Sequence, residues 1–203
     1  MRTSRRTLSA RDAAMVLARM LPARPPWPSA LFAMLLLAML SHARPAHSAD
    51  SGVAKAEMLW NIAKFIQWPE SADQANKGQL VFTILGEDEL AAELAGLLST
   101  KTINGKPVFV RFARRAQDAR GSQILYVAAS EREHMGEVLA AVSGTPVLTV
   151  GDTPAFATHG GMVGFAIEGG RVRFEINLGH AERTGLKISA KLLALARVVD
   201  QAP

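Results

Sequence analysis

The chain has 203 residues, 23 lysines and arginines, 18 acidic residues and no cysteine. Residues 1–49 hold seven of the basic residues and one of the acids, so residues 50–203 carry 16 basic and 17 acidic residues. Neutralising nucleic-acid phosphates takes a clustered basic surface, so this balance indicates no nucleic-acid partner. Without cysteine, the chain has no disulfide, no thiolate nucleophile and no thiol ligand for a metal.

The first 49 residues have the three parts of a secretory signal peptide. Six arginines come first, ten apolar residues follow at 31–40, and small residues lie between Ala43 and Ala49. A membrane-spanning helix needs about 20 apolar residues, so this run is short for a stable span. We predict that 1–49 is a signal peptide with its cleavage region, and that the cleaved chain enters the periplasm without stable membrane insertion. An uncleaved anchor is the alternative.

Residues 50–203 have the usual size of one domain around one core, and helices alternate with strands along them. In the first half, apolar spacing predicts a helix at 53–68 ended by Pro69, a strand at 80–85, and a helix to residue 98 capped by Asp88. Asn104 and Gly105 are a strong turn signal and predict a hairpin at 102–112. In the middle, it predicts a strand at 124–128, a helix to residue 142 opened by a Ser130–Glu133 capping box, a strand at 147–150, and a helix start at Thr153 and Pro154.

The C-terminal part begins with a period of two and then changes to helical spacing. Apolar residues alternate on both sides of a turn at 168–170, namely Val163, Phe165 and Ile167 before it and Val172, Phe174 and Ile176 after it. This pattern predicts an antiparallel hairpin with one buried face. Beyond the hairpin, Ser189 is the predicted N-cap of a helix that carries Leu192, Leu193, Ala196 and Val199 on one face.

These elements together predict the fold class. Strands separated by helices favour parallel pairing, with helices covering both faces of the sheet. We therefore predict an α/β protein, a three-layer α/β/α sandwich with a mixed, mostly parallel sheet and a C-terminal antiparallel hairpin.

Polar and small residues follow the ends of the buried strands. In open parallel sheets, ligands bind in the crevice beyond the carboxyl ends of the strands. The candidates for such a crevice are Gly86, Asp88, Ser130, Asp152, Thr153 and His159. Most of the same residues are also ordinary helix caps and turn residues, which explains them without a ligand.

The sequence contains few residues in an arrangement suited to catalysis. The histidines of residues 50–203 are His134, His159 and His180, and their spacing matches no metal motif. No nucleophile elbow and no phosphate-binding loop occurs, and Gly160 and Gly161 are better explained by a turn that a side chain would obstruct. We therefore expect no enzyme activity, no metal and no cofactor.

Two groups of residues are candidates for contact with a partner protein. Trp60 and Trp68 belong to the predicted first helix, and tryptophan is enriched at interface hot spots; Phe65 is better explained by burial against the sheet. Arg171, Arg173 and Glu175 share one side of a predicted strand. The simpler interpretation of that side is a polar surface on which Arg173 and Glu175 screen each other.

Several long strings resemble the YfiR-like family of periplasmic regulators. They are FIQWP (65–69), PVLTVGD (146–152), GGMVGF (160–165), RVRFEIN (171–177) and GLKISAKLLALA (185–196), and the resemblance covers 53–199. It implies an exported α/β protein that is not an enzyme and that restrains a membrane-bound signalling partner. Other members carry cysteines and are discussed as redox-responsive, but this chain has none, so that property is not implied here.

The resemblance thus implies an exported regulator that binds the periplasmic part of an inner-membrane signalling enzyme of the diguanylate cyclase type. The sequence also leaves open whether the protein forms a homodimer. The alternative is a periplasmic small-molecule-binding protein, or a cryptic enzyme, that uses the crevice at the strand ends.

Overall fold

The computed structural model describes residues 47–199, with the backbone alone at 47–50 and at Asp73. Residues 1–46 of the predicted signal segment lie outside the described residues. Within the described range, none of the helices combines the length and the apolar character needed to cross a bilayer.

Six α-helices and ten strands alternate along the described chain. The helices are α1 (His47–Ala63), α2 (Glu70–Ala75), α3 (Glu89–Leu98), α4 (Met135–Ala141), α5 (Leu178–Arg183) and α6 (Ala190–Leu193). The strands are β1 (Ile66–Gln67), β2 (Leu80–Leu85), β3 (Thr102–Ile103), β4 (Lys106–Ala113), β5 (Ile124–Val127), β6 (Leu148–Gly151), β7 (Val163–Glu168), β8 (Arg171–Asn177), β9 (Lys187–Ile188) and β10 (Arg197–Val199). Two short 3₁₀ helices cover Ala116–Ala119 and Ala129–His134.

Eight of the strands form one mixed sheet in the order β10-β8-β7-β6-β5-β2-β4-β3. The five strands from β7 to β4 in this order are parallel. Strand β8 pairs with β7 antiparallel, with Phe165 opposite Phe174, and β10 pairs with β8 parallel. Strands β1 and β9 form a separate antiparallel pair, with Ile66 opposite Ile188. The predicted mostly parallel sheet and its C-terminal hairpin are therefore confirmed.

Both faces of the sheet are covered. On β5, Ile124 and Tyr126 point into a core beneath α1 and α3, whereas Leu125 and Val127 point into a second core beneath α4. Both sets are fully buried, as expected for a strand enclosed on two sides. The three-layer α/β/α arrangement is confirmed.

Two turn predictions are also confirmed. Asp88 caps α3, because its Oδ1 accepts a hydrogen bond of 2.7 Å from the backbone N–H of Ala91. Asn104 and Gly105 join β3 to β4, and both have positive φ angles (51° and 80°), as the tight hairpin turn requires.

The helix predicted from Thr153 and Pro154 does not form. The chain makes turns from Thr153 onward, and Ala155 has a φ angle of 59°, which a right-handed helix excludes. These turns bury Phe156 against the sheet, where a Cβ on Gly151 or Gly161 would collide with its ring. Packing of this one ring therefore explains why residue 161 is a glycine.

Three helix boundaries differ from the prediction because tertiary pairing overrides local spacing. Helix α1 ends at Ala63, and the next residues form β1, which pairs with β9. Ser130 opens no capping box, since its Oγ accepts from the N–H of Glu87, and α4 begins only at Met135. Ser189 does cap α6, but that helix is a single turn, and the chain then pairs with β8 as β10.

Candidate functional site

Asp88 lies at the end of β2, where the parallel strands present their carboxyl ends. Its Oδ1 caps α3, and its Oδ2 accepts hydrogen bonds of 2.8 Å from the hydroxyl of Tyr126 and from the N–H of Ala129. One carboxylate therefore joins α3, β5 and the 3₁₀ helix that follows β5. Its oxygen atoms already accept three donors from its own chain, so its position is explained by the fold.

Asp152 follows β6 and pairs with a lysine from α1. The distance from Lys55 Nζ to Asp152 Oδ2 is 2.7 Å, and Lys55 is only 7% exposed. Burial raises the pKa of Asp152; Lys55 opposes this effect, and the nearby carboxylate of Asp88 adds to it. The two strand-end aspartates are thus electrostatically coupled, and Lys55 neutralises one of them.

Two members of this group, Lys55 and Tyr126, were not among the predicted site residues. Tyr126 is fully buried, and burial raises the pKa of its hydroxyl, with further contributions from Asp88 and Asp152, so it remains a hydrogen-bond donor. The sequence does carry a signal for Lys55. It lies on the same helical face as Leu59 and Ile62, where a charged residue is out of pattern.

The other predicted crevice residues form two neighbouring groups. Gly86 has a φ angle of 82° and adjoins Ser130, whose hydroxyl a Cβ at Gly86 would meet. Thr153 and His159 line a separate cavity of about 420 Å³ with Arg132 and Met135. Thr153 is buried and its Oγ1 has no hydrogen-bond partner within the described range, whereas His159 is exposed and its Nδ1 lies 2.9 Å from the carbonyl oxygen of Ala155.

A further cavity, of about 380 Å³, lies beside the Lys55–Asp152 pair. Its wall includes Phe165, Ile167 and Glu175, so it combines an apolar side with three charged groups. In the range 47–199, no three histidine or acidic side chains are close enough together to hold a metal ion.

The expectation for Glu175 is wrong, because it is not part of an exposed polar surface. Glu175 is 6% exposed and forms an ion pair with Arg197 of β10, which lies beside β8. Arg171 and Arg173 are exposed, as predicted, and they lie near the hairpin turn, beyond the part of β8 that β10 covers. Arg173 therefore has no screening partner in Glu175.

The aromatic residues near α1 also differ from the expectation. Trp60 is half-buried, donates to the carbonyl of Thr102 at 3.1 Å, and has Lys64 Nζ 3.1 Å from its ring centre. Trp68 is half-buried and donates to the carbonyl of Gln123 at 3.0 Å. Phe65, which we expected to be buried, is 38% exposed. Both tryptophans therefore serve packing within the chain, and the phenylalanine is the more accessible ring.

His180 lies in α5, beneath the loop that follows Phe156. Burial lowers the pKa of His180; a hydrogen bond to the Gly160 backbone opposes this effect, and the charge of Arg183 adds to it. Its Nδ1 is buried and makes no hydrogen bond to another described residue. The neutral imidazole is therefore the form that this site favours.

A family model described as DUF4154, YfiR/HmsC-like, matches residues 53–197. No curated protein matches the sequence. The chain is similar to a solved "conserved domain protein" from Vibrio cholerae O1 biovar El Tor, with 15% identity and a TM-score of 0.47 over 64% of this chain and 57% of that chain. The chain thus spans 57% of that neighbour's length.

The family match covers nearly all of the described residues, including the whole sheet except the end of β10. This family is one of periplasmic regulators of diguanylate cyclases. The chain belongs to the YfiR/HmsC-like family.

Proposed function

We propose that this protein binds the periplasmic region of an inner-membrane signalling enzyme of the diguanylate cyclase type and holds it in a less active state. The observation that carries the proposal is the family match over residues 53–197. The protein acts by binding, with no chemical step of its own.

The strand-end residues are consistent with this role. Asp88 accepts three hydrogen bonds from its own chain, and Asp152 is neutralised by Lys55. Catalytic carboxylates need a free proton-accepting or nucleophilic oxygen directed at a substrate. The two aspartates instead join α1, α3, β5 and β6, which makes the outer surface the better candidate for activity.

The tip of the β7–β8 hairpin is the best candidate for the contact surface. Ile167 is 62% exposed there, and Arg171 and Arg173 are exposed on the adjoining strand. An apolar residue beside two arginines suits a partner surface that offers an apolar pocket rimmed by acidic groups. Arginine can also hold a carboxylate through two hydrogen bonds.

Restraint by binding requires that the protein bind the inactive state of its partner more tightly than the active state. A protein with equal affinity for both states would change nothing, however tightly it bound. A tenfold difference in affinity between the two states corresponds to about 1.4 kcal/mol.

The test is affinity capture from native membranes with the processed protein as bait, together with cyclic-di-GMP measurement with and without the gene. We expect capture of a diguanylate cyclase and a rise in cyclic-di-GMP on deletion. The variants Arg171→Glu and Arg173→Glu should lose capture while keeping the wild-type melting temperature. Lys191→Glu, an exposed reversal in α6, is the matched control and should keep capture. Unchanged cyclic-di-GMP on deletion, with no cyclase captured, contradicts the proposal.

The second candidate function is small-molecule binding, and the 380 Å³ cavity beside Lys55 and Asp152 favours it. Its volume lies in the range of ordinary ligand sites, about 300–1,000 Å³, and it mixes apolar and charged walls as such sites do. Native mass spectrometry of the protein purified from the periplasm tests it. A small molecule that co-purifies with wild type and is lost in Ile167→Trp, which enlarges one side chain of the cavity wall, would support this candidate over the first.

A further inference from the structure

Strand β4 lies second from one end of the sheet, yet most of its outer edge is uncovered. Strand β3 pairs only with Lys106 and Pro107, and the N–H of Val108 donates to the carbonyl of Lys101 at 3.3 Å. Within residues 47–199, no strand pairs with this edge from Phe109 to Ala113.

The hydrogen-bonding groups of this edge can be assigned from its neighbours. Successive residues of a strand direct their backbone N–H and C=O groups to opposite sides. Since the N–H of Val108 points away from β2 towards Lys101, the backbone groups of Val110 and Phe112 point the same way. These two residues therefore present two donors and two acceptors at a spacing that another extended chain matches.

Large apolar side chains flank the same groups. Phe112 is 67% exposed and Phe109 is 53% exposed, and they lie on opposite faces of the strand. An open strand edge that carries exposed aromatic residues is a template for pairing with another chain. An added strand would lie beside both rings, and its side chains on the face of Phe112 would cover part of that ring.

The charges around the edge specify what kind of strand fits. Arg111 holds neutral oxygen atoms, with its Nε 2.8 Å from Thr83 Oγ1 and a terminal nitrogen 2.6 Å from the carbonyl of Asp118. Its positive charge is thus not cancelled by a carboxylate in those contacts. Arg114 is exposed immediately after β4, and Lys101 lies at the opposite end of the edge. The edge therefore carries a small excess of positive charge: Lys101, Arg111 and Arg114 lie along it, and Glu87 and Glu131 line the pocket beside Phe112 and Arg114.

We propose that the β4 edge from Phe109 to Ala113 binds an extended segment of a partner protein whose residues alternate between apolar and acidic. The segment adds to the sheet by main-chain hydrogen bonds to Val110 and Phe112. Its apolar side chains cover Phe112 on one face, because side chains alternate between the faces of a strand. Its acidic side chains lie on the other face, where they are attracted by the positive charges of Arg111 and of the exposed Arg114. The inference goes beyond the proposed function and does not depend on the identity of the membrane partner.

The experiment measures binding of a fluorescein-labelled eight-residue peptide of alternating valine and glutamate to the processed protein, by fluorescence anisotropy. We expect saturable binding that weakens as salt rises, because exposed charges are screened. A peptide with lysine in place of glutamate, and a glutamate peptide with a central proline, should bind at least tenfold more weakly. Hydrogen exchange at the amides of Val110 and Phe112 should slow when the first peptide is bound.

Protein variants separate the edge from the rest of the surface. Val110→Pro removes an outward N–H while the hydrogen bonds of the strand to β2 remain, and edge strands tolerate proline. It should weaken the valine–glutamate peptide at least tenfold, as should Arg114→Glu, which leaves the strand backbone unchanged. Arg183→Glu, an exposed reversal in α5, should bind like wild type.

Two results would overturn the inference. One is the absence of binding by the valine–glutamate peptide, or binding that both Arg114→Glu and Val110→Pro leave unchanged. The other is a dimer of the chain, detected by light scattering, that Val110→Pro dissociates and that excludes the peptide, which would assign the edge to a second copy. Either result leaves capture of the cyclase through the hairpin tip unaffected, so the two proposals fail separately.

Discussion

Lys55 and Asp152 form an ion pair at 2.7 Å that joins the first helix to the carboxyl end of a central strand. The lysine side chain is 9% exposed and that of the aspartate 25%, so the pair is largely removed from water. Breaking such a pair by removing one partner leaves a buried charge without its counterion, which costs more than the pair itself contributes.

The first prediction concerns this pair. Asp152→Asn should destabilise the protein by about 3–5 kcal/mol, because it strands the ammonium of Lys55. Lys55→Met should cost less, since the carboxylate of Asp152 is more exposed and can take up a proton. Urea unfolding of both single variants and the double variant gives the comparison. Because Lys55→Met removes the unpaired ammonium, the double variant should be more stable than Asp152→Asn alone. A double variant that is less stable than Asp152→Asn would contradict this explanation.

Removal of the Tyr126 hydroxyl tests the second strand-end carboxylate. Tyr126→Phe keeps the ring in the core but takes one donor from Asp88 Oδ2, and hydrogen bonds to charged groups contribute about 1.5–3 kcal/mol. We expect a loss of that size in the free energy of unfolding. In an Asp88→Asn background, Tyr126→Phe should lower the unfolding free energy by clearly less. Equal losses in the two backgrounds would show that the hydroxyl stabilises the fold through a group other than the Asp88 carboxylate.

The acid sensitivity of the fold should depend on His180. Burial lowers the pKa of His180, so the unfolded chain, with an ordinary value of about 6.5, binds the proton more tightly than the folded chain. The unfolding free energy should therefore fall as the pH drops through and below about 6.5. His180→Asn should reduce that slope, and an unchanged slope in this variant would contradict the assignment to His180. Melting temperatures between about pH 8 and pH 5 provide the measurement.

Glycine substitutions test the packing of Phe156. Gly161→Ala places a methyl group into the ring, and overpacking of this kind costs about 1–3 kcal/mol. Leucine at position 156 leaves more room for the added methyl group. Gly161→Ala should therefore cost less stability in a Phe156→Leu background than in the wild type. Gly96→Ala is the control, because it lies on the exposed side of α3 with nothing within 4 Å, and it should stabilise by up to about 1 kcal/mol. A neutral Gly161→Ala would show that the loop has room to move.

The parts of the fold that the sequence predicts well are those with a strong local period or a specific turn. Val163, Phe165 and Ile167 alternate, and the hairpin forms as this pattern indicates. The predicted burial of one whole face is wrong at the tip, where Ile167 is 62% exposed. Asn104 and Gly105 favour one turn type, and the turn is present. In both cases neighbouring residues alone decide the structure, so no information from distant parts of the chain is needed.

The errors lie where a distant segment decides. Residues 64–68 continue the helical spacing of α1, but Ile66 gains a strand partner in Ile188. Residues 197–199 continue the apolar spacing of α6, but they add to β8 and cover Glu175. Neither pairing can be predicted from the neighbouring residues alone. The sequence therefore predicts wrongly that Phe65 is buried and that Glu175 is exposed.

The same limit applies to the candidate site. Asp88 and Asp152 could be placed at strand ends from the sequence, since Asp152 directly follows one buried strand and Asp88 comes three residues after another. Their partners come from elsewhere: Lys55 from a helix 97 positions away and Tyr126 from the adjacent strand. The donors that bind each carboxylate depend on the order of the strands in the sheet. That order is set by contacts between distant segments and cannot be predicted from any one of them.

The pairing of β1 with β9 also has a consequence for how the protein is made. Ile66 is synthesised near the beginning of the domain and Ile188 near its end, so β1 has no partner until almost the whole chain has emerged. Contacts between such distant residues slow folding, because a long loop must close first. A product truncated before β9 leaves Ile66 without its strand partner. Premature termination close to the C-terminus should therefore yield a substrate for proteolytic quality control and not a partially functional protein.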